Sequence, residues 1–558
     1  MIKLLLRCFN VSIFKRLIIV ILIIFGINES AHAQEKSIVL GRPTDTSITA
    51  SILFDKNVYY YIEYGTVSGV YPLVTATYTN VPDTPDEIDL LNLVANTKYY
   101  YRMVYKLVGS ANFNTTPEYS FNTQRSPGSS FTFTIESDEH LYDKKGIREM
   151  YQVTLANQAA DKPDFMLSLG DIFGDDHTPT TTTSADMDAL HKDYRQYLGS
   201  TCHSVPFYVC LGNHEGENDY YLNQNPPFNI GVWGTQWRKF YYPNPHPNSF
   251  YSGNTTVENH GINTPENYYS WSWGDALFVV LDVYRTEIYP GSTPLDPAKP
   301  TNWDWTLGRT QYDWMKSVLE NSTAKHKFVF AHHTRGQGRG GIGTATQFEW
   351  GGIDGNQYKF DQYRPGWGKP IHKIFVDTGV DIFFQGHDHL FAKEELNGVV
   401  YQEVPMPSDI TYNIGYTANA TAYPNGNAMN GTGHIRVNVS PSCVKVDYVK
   451  AYMPADATLS HPNGEVAFTY TTGNCALGVN DPKPEEFLKI FPNPANTKLY
   501  IQFADASSNQ HGSLSNSLGN TILEFDSNEI NTTNIPDGIY FLKVAALKNY
   551  TKKIIIKH

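Results

Sequence analysis

The sequence predicts an α/β core flanked by helices and set between two all-β sandwich segments, and three observations point to this fold class. A chain of 558 residues exceeds what one hydrophobic core usually supports, so several domains are expected. Aromatics at 14%, with 38 Tyr, together with many Thr, Asn, Pro and Gly residues, favour strands and loops over helix bundles. In the middle of the chain apolar runs alternate with helical patterns such as Gln311 to Leu319, whereas both ends carry only short strand-like runs.

From the amino terminus, Lys3, Arg7, Lys15 and Arg16 precede the apolar run Leu17 to Phe25 and then Ala31-His32-Ala33. This is the pattern of a secretory signal over 1–33, with a mature chain from Gln34, exported through the periplasm to the medium or the cell surface. The apolar run is short against the roughly 20 residues of a spanning helix, so no stable membrane insertion is expected. Removing 1–33 takes four Lys/Arg and one acid, and the formal charge moves from −13 to −16. A chain this acidic is a poor non-specific partner for nucleic acid, and none is expected as a ligand. Cys8 leaves with the signal. Cys202, Cys210, Cys443 and Cys475 are compatible with one or two disulfides in an oxidising compartment, or with buried free thiols.

Residues 34–125 alternate β-type runs with turn residues: Ile48 to Phe54, Val58 to Tyr64, Tyr99 to Tyr105 and Tyr119 to Asn122. Leu93 to Arg102 resembles the strand entry of fibronectin type III-like domains, in which a Tyr ties back to the upstream backbone, although Ala95 stands where that pattern has Pro. Similar modules precede the catalytic domain of purple acid phosphatases. Gln124 to Gly128 reads as the way out. At the other end, 456–485 reads as a linker. Residues 486–558, with Phe491-Pro492-Asn493-Pro494-Ala495 and Pro536-Asp537-Gly538-Ile539-Tyr540-Phe541-Leu542, resemble the sorting domain of the type IX pathway, which implies that secretion machinery is a partner.

Between them, over 126–455, five apolar strands each deliver polar residues at their ends. Phe131 to Ile135 leads to Asp138-Glu139-His140; Phe165 to Leu169 leads to Gly170-Asp171; Phe207 to Leu211 leads to Gly212-Asn213-His214-Glu215. Phe328 to Ala331 leads to His332-His333, and Ile382 to Gln385 leads to Gly386-His387-Asp388-His389. Carboxylate and imidazole donors with one shared ligand are what a two-metal hydrolase needs. Each block alone is ordinary surface or turn chemistry. Their order resembles the metallophosphoesterase (calcineurin-like) superfamily, and the resemblance implies a layered β-sandwich core flanked by helices.

By that resemblance Asp138, His140, Asp171 and His389 hold one divalent ion and Asp171, Asn213, His332 and His387 the other, with Asp171 as the bridge. His332 is preferred to His333 as the ligand. Mn, Zn or Fe all suit mixed N/O donors. The implied activity is metal-dependent hydrolysis of a phosphate ester, phosphomonoester favoured, by in-line attack of a hydroxide held between the ions. His214 is placed to stabilise the transition state or protonate the leaving group, or else it is structural. Asp388 and Glu139 either brace ligands or face solvent.

Purple acid phosphatases carry a Tyr ligand to iron three residues after the bridging Asp, and many other members carry an Asp there that orients the catalytic His. Here that position is Gly174, and Asp175 or Asp176 is left to replace the Asp. Arg335, Arg339 and His333 are candidate substrate contacts, although loop arginines are as often solvated. The insertion Glu217 to Tyr269, with Trp233, Trp237, Tyr241 and Tyr242, walls a pocket or packs locally. A phosphodiesterase of the same fold and a catalytically silent surface binding protein are the alternatives; loss of ligands is expected of the latter, and every ligand position is filled.

Overall fold

The computed structural model describes residues 36–475, except 142, 144–145, 288–300, 335–338, 414–421 and 425, and residues 488–558, except 504–510, 517–519 and 546–548. The expected signal at 1–33 and Arg335 lie outside the described residues. The chain divides into two compact units between Cys475 and Ala476.

In the first unit, strands Lys36–Gly41, Ile48–Phe54 and Asp86–Leu90 form one sheet of an N-terminal sandwich, facing a sheet built on Val58–Gly65 and Lys98–Leu107. Alternate residues point inward, so Ile52, Phe54, Tyr60, Ile62, Tyr101 and Met103 make its core. Tyr99 ties the strand entry down, its hydroxyl accepting the Val94 N–H at 3.0 Å. The sandwich is fastened to the central region by a buried guanidinium: Arg195 donates to Ser37 Oγ at 2.9 Å and to Ser51 O at 2.6 Å. Arg125, where the chain leaves the sandwich, pairs with Asp164 at 2.6 Å.

The central region is two sheets packed face to face. One runs in the order Phe207–Val209, Phe165–Ser168, Phe131–Glu136, Thr432–Val439, Cys443–Ala451, Val466–Gly473. Its first three strands are parallel and the rest antiparallel. The other centres on four parallel strands, Ala276–Val280, His326–Phe330, Ile382–Gln385 and Val399–Glu403. Phenylalanines from both sheets interleave, with Phe133 and Phe165 each 5.2 Å from the Phe278 ring. Edge-on ring pairs of this kind stabilise beyond their buried area. The alternate positions Val279, Val329 and Phe383 pack instead against helices Gly308–Asn321 and Ile371–Thr378. On the other sheet Met166, Phe207 and Val209 pack against Arg148–Ala160 and Ser184–Leu198. Parallel strands joined through helices deliver all their carboxyl ends to one edge of the fold, where ligands gather in such sheets.

One expectation is corrected. Val466–Gly473, inside the expected linker 456–485, is the sixth strand of the first sheet, and Cys475 is disulfide-bonded to Cys443. The segment alternates half-buried Phe468 and Tyr470 with exposed Thr residues, which is how an edge strand reads when only one face is covered. Cys202 and Cys210 are free and buried.

The second unit is a small sandwich in which Leu488–Phe491 and Lys498–Phe503 face a four-stranded antiparallel sheet in the order Thr521–Asp526, His511–Asn516, Gly538–Ala545, Asn549–Ile556. Leu499, Leu514, Leu542, Val544 and Ile554 fill it.

The disulfide closes a loop of 32 residues onto an edge strand. Replacing both cysteines, Cys443→Ala with Cys475→Ala, should cost about 3 kcal/mol by loop-closure entropy, read as a lower midpoint in denaturant with the metal content unchanged.

Candidate metal centre

The loops that follow the five strands are tight and strained. Asp138, His140, Asp171, His387 and His389 all have left-handed backbone, with φ of 62°, 39°, 60°, 78° and 60°. Such angles cost non-glycine residues energy and persist only where the surroundings impose them. Glycines make the crowding feasible. A Cβ on Gly386 would lie 1.8 Å from Ser137 Oγ, and one on Gly170 would lie 2.1 Å from the Gly212 nitrogen. The Gly-Asp, Gly-Asn-His and Gly-His blocks are therefore backbone surfaces pressed together, with the side chain of the next residue turned into the space they enclose.

That space is lined by two buried carboxylates and a ring of imidazoles. Asp138 Oδ1 lies 3.3 Å from His389 Nε2, 3.7 Å from His332 Nε2 and 3.9 Å from His140 Nε2. Asp171 Oδ2 lies 3.0 Å from His332 Nε2, 3.7 Å from His140 Nε2 and 3.8 Å from His214 Nε2. Donor atoms converge within 4.8 Å in the sets Asp138–His140–His389 and Asp171–His332–His387. Asn213 is buried beside them, its Oδ1 3.5 Å from the Tyr284 hydroxyl.

The electrostatics suit cations. Burial works against charge on Asp138, but His389 and His332 outweigh it and hold the carboxyl at about 2. Burial likewise opposes charge on Asp171, and His332 and His214 hold it well below the usual carboxylate range. Burial lowers His140 to about 4, while Asp171 and Asp138 pull His332 up to about 9 against the same burial. Among the described residues Asp138 Oδ1 and His140 Nε2 are buried without a hydrogen-bond partner, a costly arrangement unless a ligand completes it. Carboxylate and imidazole atoms at such spacings are a donor set for two divalent ions.

Residues 131–391 match the family model "Calcineurin-like phosphoesterase". The chain carries a calcineurin-like phosphoesterase domain. It is accordingly a metal-dependent phosphoester hydrolase, and the layered sheets belong to that fold. Residues 489–557 match the family model "Secretion system C-terminal sorting domain". Among solved structures, PhoD is similar at 15% identity and a TM-score of 0.56, covering 78% of this chain and 90% of its own. Purple acid phosphatase PPD1 from yellow lupin (Lupinus luteus) seeds is similar at 16% identity and a TM-score of 0.52, covering 79% of this chain and 74% of its own. No curated protein matches the sequence.

The phosphoesterase domain braces its metal-facing side chains from behind. Asp143 Oδ1 lies 2.9 Å from His140 Nδ1, and the Leu169 carbonyl lies 2.9 Å from His332 Nδ1, which leaves each Nε2 turned inward. Asp138 Oδ2 accepts the His387 N–H at 2.8 Å, and Asp171 Oδ1 accepts the His214 N–H at 2.8 Å. Of the two candidates to orient His214, Asp176 is the one in contact with its Nδ1. Gly174 has its own reason: a Cβ there would lie 2.1 Å from Asp143 Oδ2, so a Tyr at this position would evict the carboxylate that holds His140.

Asp388 and Glu139 do not face solvent. Asp388 accepts from the Tyr423 hydroxyl at 2.6 Å and from Gly340 N at 2.7 Å, and Glu139 accepts from Ser168 at 2.7 Å and Tyr194 at 3.1 Å. Arg339 spends its Nη1 on the His387 carbonyl at 2.6 Å and on Asp388 at 3.1 Å, so it steadies the Gly386–His389 turn. His333 is buried with Nδ1 3.1 Å from the Tyr284 hydroxyl and its ring 4.3 Å from that of His387. The insertion packs locally: Trp233, Trp237, Tyr241 and Tyr242 join the apolar cluster against helix Ser184–Leu198, and Arg238 pairs with Glu217 at 2.7 Å.

Asp143, Glu403 and Tyr423 support the site without any motif to mark them, and so does Glu215, the last residue of the Gly212–Glu215 block. Glu215 accepts from Gly212 N at 2.6 Å and Ile172 N at 2.7 Å. Of the three unmarked residues, Asp143 lies closest in sequence to a block, three residues beyond His140. Asp143→Ala should weaken metal binding by about 10- to 100-fold with the fold retained, as loss of an orienting carboxylate does, measured by titration of the chelated protein.

Proposed function

We propose that the protein is an exported two-metal phosphoesterase acting on a small organic phosphate, phosphomonoesters favoured. Asp138, His140, Asp171 and His389 would hold one divalent ion, and Asp171, Asn213, His332 and His387 the other, with Asp171 shared. The observation that carries this is the pair of donor sets Asp138–His140–His389 and Asp171–His332–His387, with Asp171 Oδ2 3.7 Å from His140 of the first set, and Asp138 Oδ1 and His140 Nε2 buried without a hydrogen-bond partner among the described residues. Bound there, two dications would polarise phosphoryl oxygens and lower the pKa of a water. Mn, Zn and Fe(II) all suit these donors, while Gly174 speaks against a tyrosinate site.

The remaining work falls to the chain. The Asp171 carboxylate fixes the His214 backbone, and Asp176 fixes its ring, so that Nε2 faces the same space as the metal donors. His214 is thereby placed to stabilise charge on the departing group or to protonate it. The likeness to a fold described as a purple acid phosphatase tips the reading towards monoesters. All seven proposed ligand positions are filled by side chains capable of ligation, which supports a working enzyme over a silent binding protein. The sorting domain implies export and makes secretion machinery a partner.

Hydrolysis of p-nitrophenyl phosphate and bis-p-nitrophenyl phosphate, after chelation and add-back of Mn, Zn or Fe, tests this. Metal-restored turnover with the monoester ahead is expected; a dominant diester rate would make the protein a phosphodiesterase, and failure to bind metal would leave the binding-protein reading. Asp171→Asn and His332→Ala should lose both metal and turnover. His214→Ala should keep the ions while kcat falls by about 10²–10⁴-fold, most for alkyl phosphates whose leaving groups need a proton. Equal metal loss in all three variants would remove His214 from the chemistry.

A further inference from the structure

Outside the two proposed donor sets, we infer a third cation site, formed by Asp176, His177 and His214 and suited to a borderline dication such as Zn2+, that restrains the enzyme when filled. One donor atom from each of the three side chains lies within 4.8 Å of the others. His177 Nδ1 is 3.6 Å from Asp176 Oδ1, the oxygen that also touches His214 Nδ1, and the two imidazole rings meet edge-on at 4.5 Å. Two imidazoles and a carboxylate are a common three-residue set for zinc, which takes a fourth ligand from water. Of the three side chains His177 is the one open to solvent, 59% exposed against 12% for Asp176 and 6% for His214.

Charge favours occupancy. Carboxylates crowd this side of the domain, and the Asp175 carboxyl is raised by burial and by neighbouring Asp186, Asp143 and Asp176. The site is distinct from the two-metal set because His214 turns Nδ1 to Asp176 and Nε2 to Asp171. Its effect rests on the proposed role of His214. A dication held between Asp176 and the Nδ1 side takes up the contact by which Asp176 fixes the ring, so that Nε2 is no longer held in place for the leaving group.

The test is zinc content after equilibrium dialysis of the full chain against Zn2+, comparing wild type with His177→Ala, followed by inhibition of turnover by added Zn2+. The variant should bind one ion fewer per chain, keep its basal rate, and need about tenfold or more Zn2+ for half-inhibition, as loss of a metal-site partner predicts. Sites elsewhere cancel in the difference. Equal zinc content in the two proteins overturns the site, and an equal inhibition profile overturns the restraint. Failure of the two-metal reading would show separately, as zinc content unchanged by Asp171→Asn.

Discussion

The carboxylate of Asp171 is the constraint around which the rest is arranged. It is buried, it is held below the ordinary carboxylate range, and it faces three imidazoles from three different loops, with Oδ2 between 3.0 and 3.8 Å from His332, His140 and His214. A buried charge of this kind destabilises the fold unless opposite charge is supplied close by. Two packed sheets supply the geometry: parallel strands end at one edge, and the loops leaving them cross at glycines so tightly that a Cβ on Gly386 would overlap Ser137. The strained backbone at Asp138, His140, Asp171, His387 and His389 follows from the same crowding. Strain concentrated at five donor residues is the expected mark of a site that the surrounding core holds in place.

The candidate donor residues were legible in the sequence because each lies beyond an apolar strand of three to six residues, is of a type that binds metal, and falls in blocks whose order resembles a known family. Strand period and motif order coincide there, so the fold class and the donor set came from one signal. What sat behind the donors was not legible. Glu403 accepts the Asp388 N–H at 3.0 Å and Tyr423 reaches the Asp388 carboxylate from 35 residues away, contacts that exist only after folding. Asp176 could be narrowed to one of two neighbours but not chosen, because the choice depends on how the short helix Asp175–His177 turns. The sixth strand of the first sheet read as linker for a different physical reason: an edge strand with one wet face carries half the apolar signal of a central one, and Val466–Gly473 is mostly Thr and aromatic.

The unit up to Cys475 also explains why the N-terminal sandwich is more than an appended module. Arg195, fully buried on helix Ser184–Leu198, spends its guanidinium on the first sandwich sheet, and that same helix carries Tyr194, whose hydroxyl donates to Glu139 at 3.1 Å. Glu139 lies between Asp138 and His140. The sandwich therefore abuts the scaffold of the first donor loop through one helix, and its removal would strip Arg195 of its Ser37 and Ser51 partners and expose an apolar helix face.

Burial alone does not decide where negative charge resides in this domain. Glu136, Glu139, Glu215 and Glu403 are as buried as Asp138 and Asp171, yet burial pushes all four upward, Glu136 and Glu215 to about 7. Their neighbours are hydroxyls, amides and other carboxyls: Tyr151 and Gln158 for Glu136, Ser168 for Glu139, backbone N–H groups for Glu215 and Gln385 for Glu403. The two aspartates differ in that imidazoles are the strongest influence opposing burial. The same low-dielectric interior thus disfavours charge on the four glutamates, and imidazoles close by favour it on the two aspartates.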